Sequence, residues 1–353
     1  RLEEYSMPLL IRAEDVNGLL TMEEAIDAVE AGFREWGKSP ELNAPRKRIM
    51  TPEGVRVSVH PGGIPSLGGI GVLAHSEHVA VSKEVQTYHN MGGPVTVLFD
   101  VKDASLMAIL VGRVALKELP AERPTPIRTA ATSAVGTRCL ARADSKILGI
   151  LGAGGEAKYH LLALAKTRPF KLAKVYCRTQ ATREQFCRSM EKLVPCAVVP
   201  VSSAKEAVES ADVLLTATNS NVPVFSGEWL QSGAHVTSIM GGNVGLVRAG
   251  VAATPRRELD DTTIRRSDVI VVNSREQAIQ DEQADLFGPV QAGFLRWEDV
   301  GELGQLLNNA IPGRTSAKQI TLFKNNAGQG IADVAVASKI YFLARGNGIG
   351  MEF

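Results

Sequence analysis

The run Lys146-Ile-Leu-Gly-Ile-Leu-Gly-Ala-Gly-Gly-Glu-Ala157 narrows the possible folds more than any other part of this chain. An apolar stretch enters the turn Gly152-x-Gly154-x-x-Ala157, and His160, Leu161, Leu162, Ala163, Leu164 and Ala165 carry on as a helix. The first glycine permits a tight turn, and the second lets backbone N–H groups approach a pyrophosphate. The small third residue lets helix pack on strand at the positive end of the helix dipole. Strand, turn and helix in this order point to a dinucleotide site at Gly152, Gly154, Gly155, Glu156 and Ala157. The plainer alternative is a tight turn in an unliganded sheet.

The next apolar run, Lys174 to Arg178, ends about twenty-five residues after Gly152, where an Asp or Glu ordinarily meets a ribose 2′-hydroxyl. Here the tip reads Arg178-Thr179, with Arg183 one turn into the following helix. A guanidinium and a hydroxyl suit a 2′-phosphate, so NADP(H) is expected over NAD(H), with a solvated surface arginine as the bland alternative. Asp212 to Thr218, His235 to Met240 and Val269 to Asn273 read as further short strands alternating with helices, as in a doubly wound parallel sheet. Thr218, Asn219, Ser220 and the Gly241-Gly242-Asn243 turn follow such strand ends and are expected on the ribose and nicotinamide side.

Composition sets bounds on partners. The chain has 353 residues, 44% hydrophobic and 22% charged, enough for two domains or one large one. A formal charge of +1 gives no general attraction to nucleic acid or membrane. Cys139, Cys177, Cys187 and Cys196 and the six histidines show no metal or redox spacing. No apolar run approaches the roughly 18 residues of a membrane span. A cytoplasmic protein with a small-molecule substrate, no nucleic acid, no membrane and no metal is expected.

The region before the turn has a different character. Thr21-Met-Glu-Glu24 is a capping box, and Met22, Ile26, Val29, Phe33 and Trp36 recur at helical spacing until Gly37. Gly54 to His60 alternates as a half-buried strand, and Val95–Phe99 and Leu106–Val111 flank a polar turn as a hairpin. Pro120, Pro124 and Pro126 punctuate a linker, and a helix over 128–143 delivers the chain to the Gly152 strand. Near the end, Gly328-Gln-Gly330 precedes a helix with Val334, Ala337, Tyr341 and Ala344 on one face, too apolar to stand alone. The expected fold is α/β: a Rossmann doubly wound sheet, 126–314, inserted in a discontinuous α+β substrate and dimerisation domain, 1–125 plus 315–353.

Arg128-Thr-Ala-Ala-Thr-Ser133, Leu140 to Asp144, the Gly152 turn, Ala207 to Thr218, Pro255 to Asp260, and Thr321-Leu-Phe-Lys324 ahead of Asp333 together resemble the ornithine cyclodeaminase and mu-crystallin family. The resemblance covers about Arg48 to Ala344. It implies a Rossmann domain plus a dimerising α+β domain, and two substrate-carboxylate arginines, which fall on Arg48 and Arg128, with Arg46 as the alternative to Arg48. A planar guanidinium binds a carboxylate bidentately and fixes the α-carbon for hydride transfer. An interdomain salt bridge is the alternative role for either arginine.

Two departures stand out. The lysine such relatives carry shortly after the Val55 strand is missing from Gly71-Val-Leu-Ala-His75, which leaves His75, His60 (where relatives often have methionine) and the more distant Lys83. His75 is the expected proton donor. At Gly241-Gly-Asn243 an asparagine stands where cyclodeaminases place an aspartate, and an amide does not titrate. The Asn243–Thr254 stretch is expected to form an inserted loop. The reading that results is an NAD(P)-dependent reductase or dehydrogenase acting on a C=N or C–NH bond in a carboxylate-bearing imine or amino acid. An ornithine cyclodeaminase-like ammonia lyase and a catalytically silent nucleotide-binding protein are the alternatives.

Overall fold

The computed structural model describes residues 7–81, 86–89, 92–119, 127–242, 244–250, 252–326 and 328–353. They divide into two compact units: Arg1–Val79, Tyr88–Arg128 and Gly328–Phe353 on one side, Ala80–Thr87 and Thr129–Ala327 on the other.

In the first unit an eight-stranded sheet runs in the order Met351–Glu352, Leu9–Arg12, Leu106–Val111, Val95–Asp100, Gly69–Val81, Val55–Ile64, Lys47–Met50, with Gln86–His89 paired off this path. The hairpin joining Val95–Asp100 to Leu106–Val111 is antiparallel, as the sequence pattern indicates. Thr21 accepts from the Glu24 N–H and Glu24 reaches back, so the capping box starts the Met22–Trp36 helix. That helix buries Met22, Ile26, Val29 and Phe33. The Gly330–Gly346 helix packs on it and on the Val55–Ile64 strand, burying Val334, Ala337, Tyr341 and Ala344.

The polarity of the Val55–Ile64 strand is inverted. Arg56, Ser58 and His60 are the buried residues, while Val55, Val57 and Val59 are exposed or half-buried. In register, Ile49 opposes Val57, Val59 opposes Ala74, and Val72 opposes Val97, which continues the apolar residues across the outer face. Ile49 is 74% exposed and Ile70 is 46% exposed.

The second unit holds an eight-stranded, all-parallel sheet in the order Ala197–Pro200, Leu172–Tyr176, Ile147–Leu151, Val213–Thr216, His235–Ser238, Thr321–Lys324, Val269–Val272, Val300–Glu302. The direction of crossover reverses beside Ile147–Leu151, the switch point where such sheets receive ligands. Thr321–Lys324 lies inside this sheet, so the chain returns to the first unit at Gly328 and not at 315 as the sequence suggests. Val244–Arg248 forms a short helix within the stretch expected to be a loop. Among the described residues no helix is long and apolar enough to cross a membrane.

Candidate active site

The first unit gathers a polar cluster under its sheet. Directly opposed residues of an antiparallel pair share a face. Arg48 therefore projects with Ser58 and His75, and Arg56 with Glu77. Arg56 and Glu77 form an ion pair whose side chains are only 10% and 9% exposed. His75 Nδ1 lies 3.9 Å from Glu77 Oε2, and its ring meets that of His60 edge-on with centroids 5.3 Å apart.

Asp333 reaches this cluster because two glycines let its helix press onto the strand. A Cβ on Gly62 would overlap the Gly330 carbonyl carbon, and a Cβ on Gly330 would overlap the Pro61 carbonyl. Asn43 clamps the same junction, donating to Gln329 and accepting from the Ile331 N–H at 2.8 Å. Asp333 then lies 2.8 Å from His60 Nδ1 through Oδ2 and accepts from Arg128 Nε at 2.7 Å through Oδ1. Arg46, 3% exposed, packs on Gly328, where a Cβ would stand 2.5 Å from Arg46 Nη1 and 3.0 Å from His60 Cε1. Gly328 has φ +63, so glycine suits both the backbone and the contact.

The electrostatics follow from this crowding. Burial pushes the Asp333 carboxyl up, but the Arg128 charge and the bond from His60 overcome it and hold it at about 2. Burial pulls the His60 imidazole down, Asp333 pulls it up, and the Arg128 and Arg46 charges push it down again, leaving it lowered. His75 is lowered to about 4 by burial, by His60 and by Arg128, with Glu77 opposing. A base this weak is neutral near pH 7, so the proton-donor role expected for His75 has little physical support.

The structure thus joins His75 and Arg128 with His60, Arg46 and Asp333, and it places Arg48 one pleat along, opposite Ser58. Lys83 and Asn243 lie outside the described side chains. Asp333 was not singled out for this site by sequence, although an acid in the first turn of an otherwise apolar helix is a usable signal.

In the second unit, Gly152 has φ +116 and a Cβ there would overlap the Ala217 carbonyl oxygen. Gly154 is the N-cap of the Gly155–Ala165 helix and offers no side-chain cap, and a Cβ on it would meet nothing within 4 Å. Ala157 is fully buried against the sheet. Glu156 sits in the first helical turn. The backbone amides of this turn and the open space above Gly154 fit a pyrophosphate.

Arg178 and Thr179 are exposed beyond the Leu172–Tyr176 strand, and Arg183 donates to the Cys177 carbonyl at 3.0 Å with its guanidinium 5.6 Å from the Tyr176 ring centroid. The Thr218 N–H and hydroxyl both donate to Glu258 Oε1, at 2.7 and 2.6 Å, and Arg256 donates to the Thr218 and Ser220 carbonyls. Thr218 therefore braces the loop, and Asn219 is its exposed side chain. Beneath it, fully buried Glu258 also accepts from Thr216 and Ser238, and Lys324 Nζ bridges Ser238 to Asp285 at 2.8 Å each. Asp285 in turn accepts the Glu258 and Leu259 N–H groups. Sequence reasoning missed this network, whose members are scattered among three strand ends, two loops and the first turn of the Ala284–Gln291 helix.

A nucleotide-binding turn in the parallel sheet of one unit, and a buried arginine, carboxylate and imidazole cluster in the other, define a class of dinucleotide-dependent protein with a polar small-molecule site. The chain belongs to the ornithine cyclodeaminase/mu-crystallin family, which it matches over residues 7–347. It is 29% identical over 347 residues to a delta(1)-pyrroline-2-carboxylate reductase of Bacillus cereus, covering 97% of this chain and 98% of that one. It is 29% identical over 344 residues to the mouse ketimine reductase mu-crystallin, covering 95% and 96% respectively. Among solved structures it resembles Thermococcus litoralis delta(1)-pyrroline-2-carboxylate reductase in complex with NADH and L-proline, with TM-score 0.80, 28% identity and coverage of 98% and 100%.

Proposed function

We propose that the chain is an NAD(P)H-dependent reductase of small imines that carry a carboxylate next to the C=N carbon, able to run the reverse oxidation of the amino acid. The observation that carries this reading is Asp333 held between Arg128 and His60, which fixes a guanidinium and a titratable ring in one buried cluster. The reductases named above are relatives across nearly the whole chain and support it.

Arg128 uses Nε on Asp333, which fixes its plane while its terminal N–H donors serve a substrate carboxylate. Arg46 is the second carboxylate residue in this reading, because it shares Gly328 with His60, and Arg48 lies farther along the same face. The Gly152–Ala157 turn holds the pyrophosphate, the loop braced by Glu258 holds the nicotinamide side, and the bound reduced nicotinamide supplies hydride to the imine carbon. Arg178 and Thr179 favour a 2′-phosphate, so NADPH is expected to bind about 10- to 100-fold more tightly than NADH, with Arg178→Asp erasing the gap. The apolar outer face around Ile49, Val57 and Ile70 is the surface through which a homodimer forms.

The test is net nicotinamide absorbance during turnover of five- and six-membered cyclic imine 2-carboxylates. Stoichiometric oxidation of NADPH is expected. Ornithine consumed with no net change would instead establish a cyclodeaminase, and dinucleotide binding without turnover of any imine acid would establish a silent binder.

A further inference from the structure

We propose that His60 is the acid that protonates the substrate nitrogen as the C=N bond is reduced, with Asp333 as its positioning residue. This rests on the imine-reductase reading above. Asp333 Oδ2 engages Nδ1 of His60 at 2.8 Å, which fixes the ring orientation and makes Nε2 the nitrogen that exchanges protons with a ligand. The His60 ring packs against Gly328 beside Arg46, and Arg128 holds the other oxygen of Asp333. The imidazole thus sits among the same guanidiniums that take the carboxylate, and in an α-imino acid the nitrogen to be protonated is only two bonds from the carboxylate carbon.

Other titratable groups in the cluster are less suited. His75 Nδ1 lies 3.9 Å from Glu77, too far for a hydrogen bond that would orient its ring as Asp333 orients His60, and Glu77 is committed to Arg56. The charged and titratable groups facing His60 are Asp333 from the helix, Arg128, Arg46 and His75. In the protein alone burial disfavours the imidazolium most, Asp333 opposes this, and the Arg128 and Arg46 charges disfavour it further. A substrate carboxylate bound to these arginines offsets their field, so the ring gains its proton as substrate binds. The proton is loaded only when there is an imine to use it.

The step balances. The His60 Nε2–H bond breaks and an N–H bond forms at the imine nitrogen. The imine carbon takes hydride, the C=N π pair becomes the amine lone pair, and neutral His60 regains its proton from water. In the oxidation direction the same Nε2 accepts the proton.

The experiment compares wild type and His60→Gln on two substrates: a cyclic imine 2-carboxylate, and its N-methyl iminium counterpart, whose permanent charge makes protonation unnecessary. On the protic imine at about pH 8, His60→Gln is expected to lose at least about 100-fold in kcat, recovering as pH falls and solvent protonates the imine. On the N-methyl iminium it is expected to stay within about 3-fold of wild type. Equal loss on both substrates, or no loss on either, overturns the proposal. A wild type that reduces neither overturns the reductase reading instead. A second measurement needs no variant: calorimetry of wild type, saturated with NADPH, binding cyclopent-1-ene-1-carboxylate in buffers of different ionisation enthalpy near pH 7. Net proton uptake is expected because this probe has no titrating nitrogen, and binding without uptake contradicts the proposal.

Discussion

In the parallel sheet of the second unit Leu148, Ile150, Leu151, Val213, Leu214 and Leu215 are all buried, one after another along their strands. In the mixed, largely antiparallel sheet of the first, Arg56, Ser58 and His60 are buried and the valines between them face outward. The first pattern follows from cover on both faces, which makes strands continuously apolar. The second shows that alternation fixes which residues share a face but not which face is inward. A chain with ordinary composition buries a row of polar residues only where charge, hydrogen bonding or function compensates their desolvation. Here Arg56 has Glu77, His60 has Asp333, and the valine face is turned outward.

The sharpest way to break this comparison is at the glycines of the parallel sheet. Gly152→Val adds a side chain at φ +116 and overlaps the Ala217 carbonyl, so loss of dinucleotide binding and a large fall in Tm are expected. Gly154→Ala places its Cβ in open space, so Tm should hold while dinucleotide affinity drops about 10-fold or more. Fluorescence titration with NADPH and thermal melts on both variants check this. A Gly154→Ala protein with unchanged affinity would show that the backbone there does not approach the cofactor.

That turn is the part of the site most legible in sequence, because its chemistry is local: strand, turn and helix follow one another without a break from Ile147 to Ala165. The capping box at Thr21 and the hairpin at Val95 are legible for the same reason. His60 and Asp333 are 273 residues apart, and the close contact between Gly62 and Gly330, clamped by Asn43, brings them together, which no periodicity encodes. The Thr321–Lys324 strand reads as a family motif, yet its place between His235–Ser238 and Val269–Val272 depends on long-range pairing. The edge strands Ala197–Pro200 and Val300–Glu302 pair on one side only and are partly exposed, so they lack the continuous apolar run that marks the central strands.

The outer valine face gives the next largest effect. Val57→Asp leaves the buried row untouched and places a charge on the proposed dimer surface, so sedimentation at micromolar concentration should show monomer where the unmodified protein shows dimer. A wild type that sediments as monomer, or a Val57→Asp protein that stays dimeric, removes this face as the interface.

Acid stability compares the two sheets through their buried histidines. His235, fully buried among Arg314, Arg168 and Thr321, is lowered to about 3, and His75 to about 4, in each case by burial first. Both are depressed below the ordinary value of about 6.5, so the unfolded chain binds more protons in the window between. The stability they contribute is full above about pH 6.5 and is lost as pH falls through 4 for His75 and through 3 for His235. The full loss is on the order of 3 kcal/mol for His75 and about 5 kcal/mol for His235. Denaturant melts between pH 7 and pH 4 should fall in stability, with His235→Gln flattening the slope at least as much as His75→Gln. An unchanged slope in both variants would contradict neutral burial.

The central claim is that the buried polar row of the first unit binds a substrate carboxylate through Arg128, and steady-state kinetics of Arg128→Lys test it most directly. Lysine keeps the charge beside Asp333 but loses the planar fork. With Tm and NADPH affinity near wild type, kcat/KM for a cyclic imine 2-carboxylate should fall about 10- to 100-fold. Unchanged kcat/KM, or a collapse of Tm together with activity, would make Arg128 a structural brace and contradict the account.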